Sequence, residues 1–211
     1  MLTRLLVLSG ISFLALTSAS AQDYKYEALA AAPAALPAAY ASAVQTQGAR
    51  VSGPGGVWCE IWLAKSIPAA KSTDPSISYG IAQGTLIGVL NFPGKGSDRR
   101  GQVIQPGLYT LRYSDFPVDG NHSGVAPQRD FALLTPIAAD PDPAAKPAFD
   151  QLVQWSGKAS GGPHPAILSI ETPPQGAAAP SIVKEGESDW TLTLKSGDLT
   201  FSIIVVGKVE G

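Results

Sequence analysis

A mostly β fold is what this sequence predicts: an immunoglobulin- or transthyretin-like β-sandwich with one crossover helix and a short N-terminal helix. Three observations predict it. Charged residues make up only 15% of the chain. Gly and Pro number 22 and 18 in 211 residues, a punctuation that suits short strands joined by many turns better than long helices. Beyond Gly48 the apolar residues alternate with a period of two, the spacing of a half-buried strand.

The first 21 residues stand apart. Arg4 precedes an apolar run from Leu5 to Leu16, and Thr17-Ser18-Ala19-Ser20-Ala21 follows with small residues in an A-x-A pattern. This is the grammar of a secretory signal peptide, with cleavage expected between Ala21 and Gln22. The run is too short for a bilayer, which needs roughly 20 apolar residues. No second run reaches that length, so no transmembrane anchor is expected in the mature chain. The expected setting is the periplasm or the extracellular space.

Residues 22–48 read as an Ala/Pro-rich lead-in. Leu36, Tyr40 and Val44 share one helical face, Pro37 suits a first helical position and Gly48 a stop, so a short helix is expected over Pro37 to Val44. Residues 49–211 read as a single sandwich domain. Its first clear strand is Val57 to Leu63, with Val57, Cys59, Ile61 and Leu63 on one face and Trp58, Glu60 and Trp62 on the other. Further strands are expected over Gly84 to Phe92, Gly107 to Tyr113, Arg129 to Leu134, Ala166 to Ile170, Trp190 to Leu194 and Leu199 to Val206. The last two form the clearest hairpin, turning at Lys195-Ser196-Gly197-Asp198. One segment breaks the β pattern. Lys146 to Ala159 aligns Phe149, Leu152, Val153 and Ser156 on a helical stripe, bounded by Pro147 and by Gly161-Gly162-Pro163. It reads as a crossover helix on the edge or end of the sandwich.

Two stretches carry a family resemblance. The first is Asp98-Arg99-Arg100-Gly101-Gln102-Val103-Ile104-Gln105-Pro106-Gly107-Leu108-Tyr109-Thr110-Leu111-Arg112-Tyr113. The second is Asn121-His122-Ser123-Gly124-Val125-Ala126-Pro127-Gln128-Arg129-Asp130-Phe131. Together they resemble uncharacterised secreted proteins of soil bacteria. The Pro-Gly-x-Tyr-x-Leu core is similar to a strand in bacterial domains of unknown function and in transthyretin-like and carboxypeptidase-regulatory sandwiches. The physical logic is a tight Pro-Gly turn followed by Tyr109, Leu111 and Tyr113 on one face. The resemblance implies a β-sandwich in a secreted setting and supplies no activity.

Charge excludes one class of partner. Of the 15 basic residues Arg4 leaves with the leader, so 14 face 17 acidic ones, a net charge of −3. No Lys/Arg cluster interleaves with aromatics, so nucleic acid has no electrostatic footprint here. Cys59 is alone, so no intramolecular disulfide forms and the core must hold the fold. It reads as a small apolar core residue.

Few residues offer chemistry. His122 and His164 are the only histidines, 42 residues apart in loops. With Asp119 or Asp130 they are candidate ligands for a divalent metal, against the simpler reading of two local loop hydrogen bonds. Arg129 shares a strand face with Phe131 and Leu133, so its charge needs a partner. Asp98 or Asp119 is expected, with ligand contact by His122, Arg129, Asp130 and His164 as the functional alternative. Trp58 and Trp62, two apart on one face, form either a sugar-stacking strip or part of the core. The G-x-S-x-G, H-E-x-x-H and G-x-G-x-x-G signatures are missing, and Gly94-Lys95-Gly96-Ser97 reads as a hairpin tip. The expected function is a non-enzymatic, exported binding or interaction protein of the cell envelope, its ligand a protein, small molecule or glycan. A metal-binding protein or metal-dependent enzyme built on His122 and His164 is one alternative, and a carbohydrate-binding module built on Trp58 and Trp62 the other.

Overall fold

The computed structural model describes residues 23–117 and 128–208. Ten strands form one continuous antiparallel sheet: β1 (Lys25–Leu29), β2 (Gly48–Gly53), β3 (Gly56–Leu63), β4 (Leu86–Phe92), β7 (Gly107–Asp115), β8 (Asp130–Pro136), β9 (Ile167–Glu171), β12 (Leu199–Val206), β11 (Asp189–Ser196) and β10 (Ser181–Glu185), in that spatial order. The ribbon β5 (Gly96–Ser97) and β6 (Val103–Ile104) hangs between β4 and β7. Two α-helices, α1 (Ala38–Ala43) and α2 (Phe149–Ser160), and a 3-10 turn at Ile137–Ala139 complete the described elements.

The fold is mostly β. In place of two facing sheets, the single sheet curls until its two outer strands, β1 and β10, come into contact without hydrogen-bonding to one another. Tyr24 and Trp190 meet across this seam with ring centroids 5.5 Å apart. The result is an almost closed barrel. Twist accumulated over ten strands brings the edges round, and closure shelters edges that would otherwise stay exposed.

One residue in two along each strand points into the barrel. Val51, Cys59, Ile61, Leu90, Tyr109, Leu111, Ala132, Leu134, Leu192, Phe201, Ile203 and Val205 are buried together in the main core. The alternating residues lie on the outside, yet much of this outer face is covered too. Helix α2 lies on β8, where Leu152 packs with Phe131, Leu133 and Ile167 in a separate apolar cluster. It joins two strands that are neighbours in the sheet and covers a face rather than an edge. Leu152, Ser156 and Ala159 form its buried stripe with Phe149 half-buried beside them, and Gly161 ends it in the left-handed region at φ 67°. Ser156 Oγ locks the helix to β9 by donating to the Ala166 carbonyl at 3.0 Å.

The opening residues contribute a strand as well as a helix. Lys25–Leu29 pairs with β2 along its whole length, Tyr26 opposite Val51. The segment thus belongs to the sheet rather than leading into it. Helix α1 then lies against the outside of the barrel through Tyr40, which is fully buried.

Candidate ligand cavity at the barrel seam

The strand registers define two ends of the barrel. Leu29, Gly48, Leu63, Asp115, Asp130, Glu171 and Ser196 lie towards one; Gly53, Phe92, Gly107, Pro136, Ile167 and Val206 lie towards the other. A cavity of about 140 Å³ opens near the first end, beside the seam. Its floor is the barrel core: Ala49, Ile61, Leu63 and Leu194. Its rim is polar: Tyr26, Gln45, Gln47 and Lys195. Gly48 and Pro180 form the side walls.

Local sequence explains the space. Position 48 has to be glycine because a Cβ there would fall 2.5 Å from Trp62 Nε1 and 2.8 Å from the Ile61 carbonyl. Gly48 and Ala49 therefore put no large side chain where the wall of β2 meets the seam, and no ladder draws β10 onto β1. Gln45 Nε2 donates to the Lys195 carbonyl at 3.2 Å, tying the segment before β2 to the β11–β12 turn. Ser196 Oγ adds a buried bond to the Ala64 carbonyl at 2.7 Å. A second, shallower recess of about 200 Å³ lies between α1, β4 and residues 143–146. It is lined mainly by small side chains, together with Thr85, whose buried hydroxyl has no hydrogen-bond partner.

Those residues nominated from sequence that are described fall elsewhere. Asp119 and His122 lie outside the described residues. Arg129 and Asp130 sit where β8 begins, and His164 sits before β9, beyond the far end of β8. The seven residues of β8 separate them by about 20 Å at 3.4 Å per residue, so the structure does not bring His164 to Arg129 and Asp130. His164 is exposed, and its carbonyl accepts a hydrogen bond from Ser160 Oγ at 2.7 Å.

Among the described residues, Arg129 is held by partners other than Asp98. Its guanidinium donates to Asp74 Oδ2 and Asp115 Oδ2, each at 2.7 Å, and to the Phe116 carbonyl at 2.6 Å. Hydrogen bonds from the Ser76 hydroxyl and amide, then the Arg129 charge, hold the Asp74 carboxyl below its usual range. Asp98 instead organises its own loop, accepting from Arg100 and Gln102, while Arg99 reaches Asp189 at 2.7 Å. Asp130 is fully buried. It accepts the Ser78 and Tyr79 amides at 2.7 and 3.1 Å and the Tyr113 hydroxyl at 2.7 Å. These contacts strap the chain from Asp74 to Tyr79 onto the barrel.

Trp58 and Trp62 do not form one strip. The β2–β3 register slips between Val51 and Ser52, leaving Trp58 at a bulge. Its indole donates to the Val205 carbonyl at 2.8 Å and packs edge-on to Phe92 and Tyr24. Trp62 is buried and donates to the Ala31 carbonyl at 3.0 Å. Cys59 is buried, and burial followed by the Glu60 charge pushes its thiol pKa far up.

No family model, curated protein or solved structure matches this chain. Among the described residues no helix is long and apolar enough to cross a membrane.

Proposed function

We propose that this chain is an exported, non-enzymatic binding protein of the cell envelope or periplasm, and that it takes a small molecule into the cavity beside the β1–β10 seam. The observation that carries this reading is the cavity itself, an apolar floor continuous with the barrel core beneath a rim of polar side chains. Ligand sites combine these features, and barrel mouths are a common place for them. The leader-like Met1 to Ala21 supports export. The test is a methyl-detected NMR titration with a panel of small apolar and amphipathic compounds. Shifts confined to Ile61, Leu63, Leu194 and their neighbours are expected. A panel that leaves those methyls unmoved overturns the reading.

A carbohydrate reading has one observation in its favour. Tyr24, Trp58 and Trp190 are all half-buried and cluster at the other end of the barrel, with Tyr24 6.2 Å from Trp58 and 5.5 Å from Trp190. Aromatic faces of this kind stack on sugar rings. Quenching of tryptophan fluorescence by a glycan panel, lost in Trp190→Ala, is the expected result under this reading. Unchanged fluorescence across the panel discards it.

A further inference from the structure

Resting on the cavity reading above, we infer that the ligand is a neutral small molecule, a compact apolar body with one hydrogen-bonding group such as an alcohol or a phenol and no ionised group. Size sets the body. The cavity of about 140 Å³ is close to the roughly 150 Å³ of an apolar cavity that takes benzene. Ala49, Ile61, Leu63 and Leu194 give that body an apolar floor.

Strand alternation sets the charge. Glu27 on β1 stands opposite Arg50 on β2, and Arg50 opposite Glu60 on β3. These three share the outer face, where Arg50 lies 2.7 Å from Glu60 and 4.0 Å from Glu27. Lys195 follows the core residue Leu194 along β11, so its side chain takes the outer face as well. Its carbonyl is the part tied to the lining, through Gln45 Nε2. Among the described lining residues Lys195 is the only lysine, arginine or acid. An ion drawn onto this floor would therefore lose water and gain no counter-charge.

Alternation also sets the hydrogen-bonding group. Tyr26 stands opposite the core residue Val51, and its half-buried ring packs on the main core at the cavity. Its hydroxyl makes no hydrogen bond to any described residue. A phenol both donates and accepts, so it answers a single neutral polar group at the edge of an apolar floor.

Benzyl alcohol, benzoate, benzylammonium and toluene are the probes, alike in ring and differing in the attached group. Each is titrated by NMR into the protein and into Tyr26→Phe, with a cooperative urea transition showing that the variant is folded. Benzyl alcohol is expected to bind about tenfold or more tightly than either ion, because the ions bring an uncompensated charge. Tyr26→Phe is expected to weaken benzyl alcohol about fivefold, the worth of one neutral hydrogen bond, and to leave toluene unaffected. Either ion binding as tightly as benzyl alcohol overturns the neutral assignment while the cavity stands. A benzyl alcohol affinity indifferent to Tyr26→Phe overturns the part given to Tyr26. If no probe moves the Ile61 and Leu63 methyls, the cavity reading falls and this inference with it.

Discussion

Arg112 and Asp140 meet inside the protein with both side chains closed to solvent, Nε to Oδ2 at 2.7 Å and Nη2 to Oδ1 at 2.8 Å. Every remaining guanidinium donor is used. Nη2 also reaches the Asp142 carbonyl at 2.7 Å, and Nη1 the Ala145 carbonyl at 2.7 Å. Thr110 Oγ1 donates to Asp140 Oδ2 at 2.7 Å, and the Tyr40 hydroxyl donates to the Asp140 carbonyl at 2.8 Å. One ion pair thus fastens α1 and residues 140–145 to the outside of β7.

A buried pair is costly to break from one side, because the surviving charge stays in the interior without its partner. Asp140→Asn is expected to destabilise the protein by about 3–5 kcal/mol, read as a fall in the urea midpoint. Arg112→Leu should do the same. The double variant Arg112→Leu/Asp140→Leu should lose less than the two single losses together, since no charge is then stranded. Additive losses would show that the two groups act independently.

Tyr113→Phe tests the second buried carboxylate. Asp130 keeps its two amide donors and loses the phenol, a loss expected to cost about 1–3 kcal/mol in chemical denaturation. Burial and then the Asp130 carboxylate raise the Tyr113 pKa, so this phenol remains a donor at any ordinary pH. A stability equal to wild type would mean that the strap from Asp74 to Tyr79 holds Asp130 without it.

Glu171 gives the protein a pH dependence of definite sign. Burial first, then Glu185, raises its pKa from 4.5 to about 7; Arg99 opposes the shift and Asp189 adds to it. Between those two values the folded chain keeps a proton that the unfolded chain has lost. Stability contributed by this group is therefore full below pH 4.5 and declines as pH rises to about 7. Glu171→Gln should flatten that decline in urea midpoints measured from pH 4.5 to 7.5, because its side chain does not titrate. The same slope in both proteins would place the titrating group elsewhere.

The proposed export makes a chemical prediction about the leader-like Met1 to Ala21. If the chain is exported as proposed, cleavage after the Ala19-x-Ala21 pattern is expected to leave Gln22 as the first residue, to be read by N-terminal sequencing or intact mass. A product that retains Leu5 to Leu16 would contradict it.

The strong elements announce themselves in the sequence, while the assembly they build does not. Trp190 to Leu194 and Leu199 to Val206 alternate cleanly around a glycine turn, because each strand has one face in a core. The edge strands give no such signal. Lys25–Leu29 is short and carries two charges in five residues, and Ser181–Glu185 offers only Ile182 and Val183 between Pro180 and Gly186. Alternation shows that one face is buried, but the same pattern serves a sheet facing a second sheet and a sheet curled upon itself. A single bulge defeats the rule at Trp58. The cavity has no local signature, since Tyr26, Gly48 and Lys195 come together only when the two ends of the sheet do. Arg129 shows the reverse: a charge on an apolar strand face does demand a partner, but sequence alone could not choose Asp74 and Asp115 from among the other acids.

Apart from β4–β7 and β9–β12, every pairing in the sheet joins strands consecutive along the chain. Tight hairpins at β2–β3, β10–β11 and β11–β12 close at little entropic cost, and the other pairings close connections of 14 to 30 residues, still far shorter than the chain. The meeting of Tyr24 with Trp190 is different in kind, since it spans nearly the whole chain. It is expected to form last and to loosen first, so that amide hydrogens of Lys25–Leu29 should exchange ahead of those in β7 and β8 in a hydrogen-exchange measurement. A chain released N-terminus first carries β1 as an unmatched end until residue 190 has followed it, and only then does the barrel have an inside.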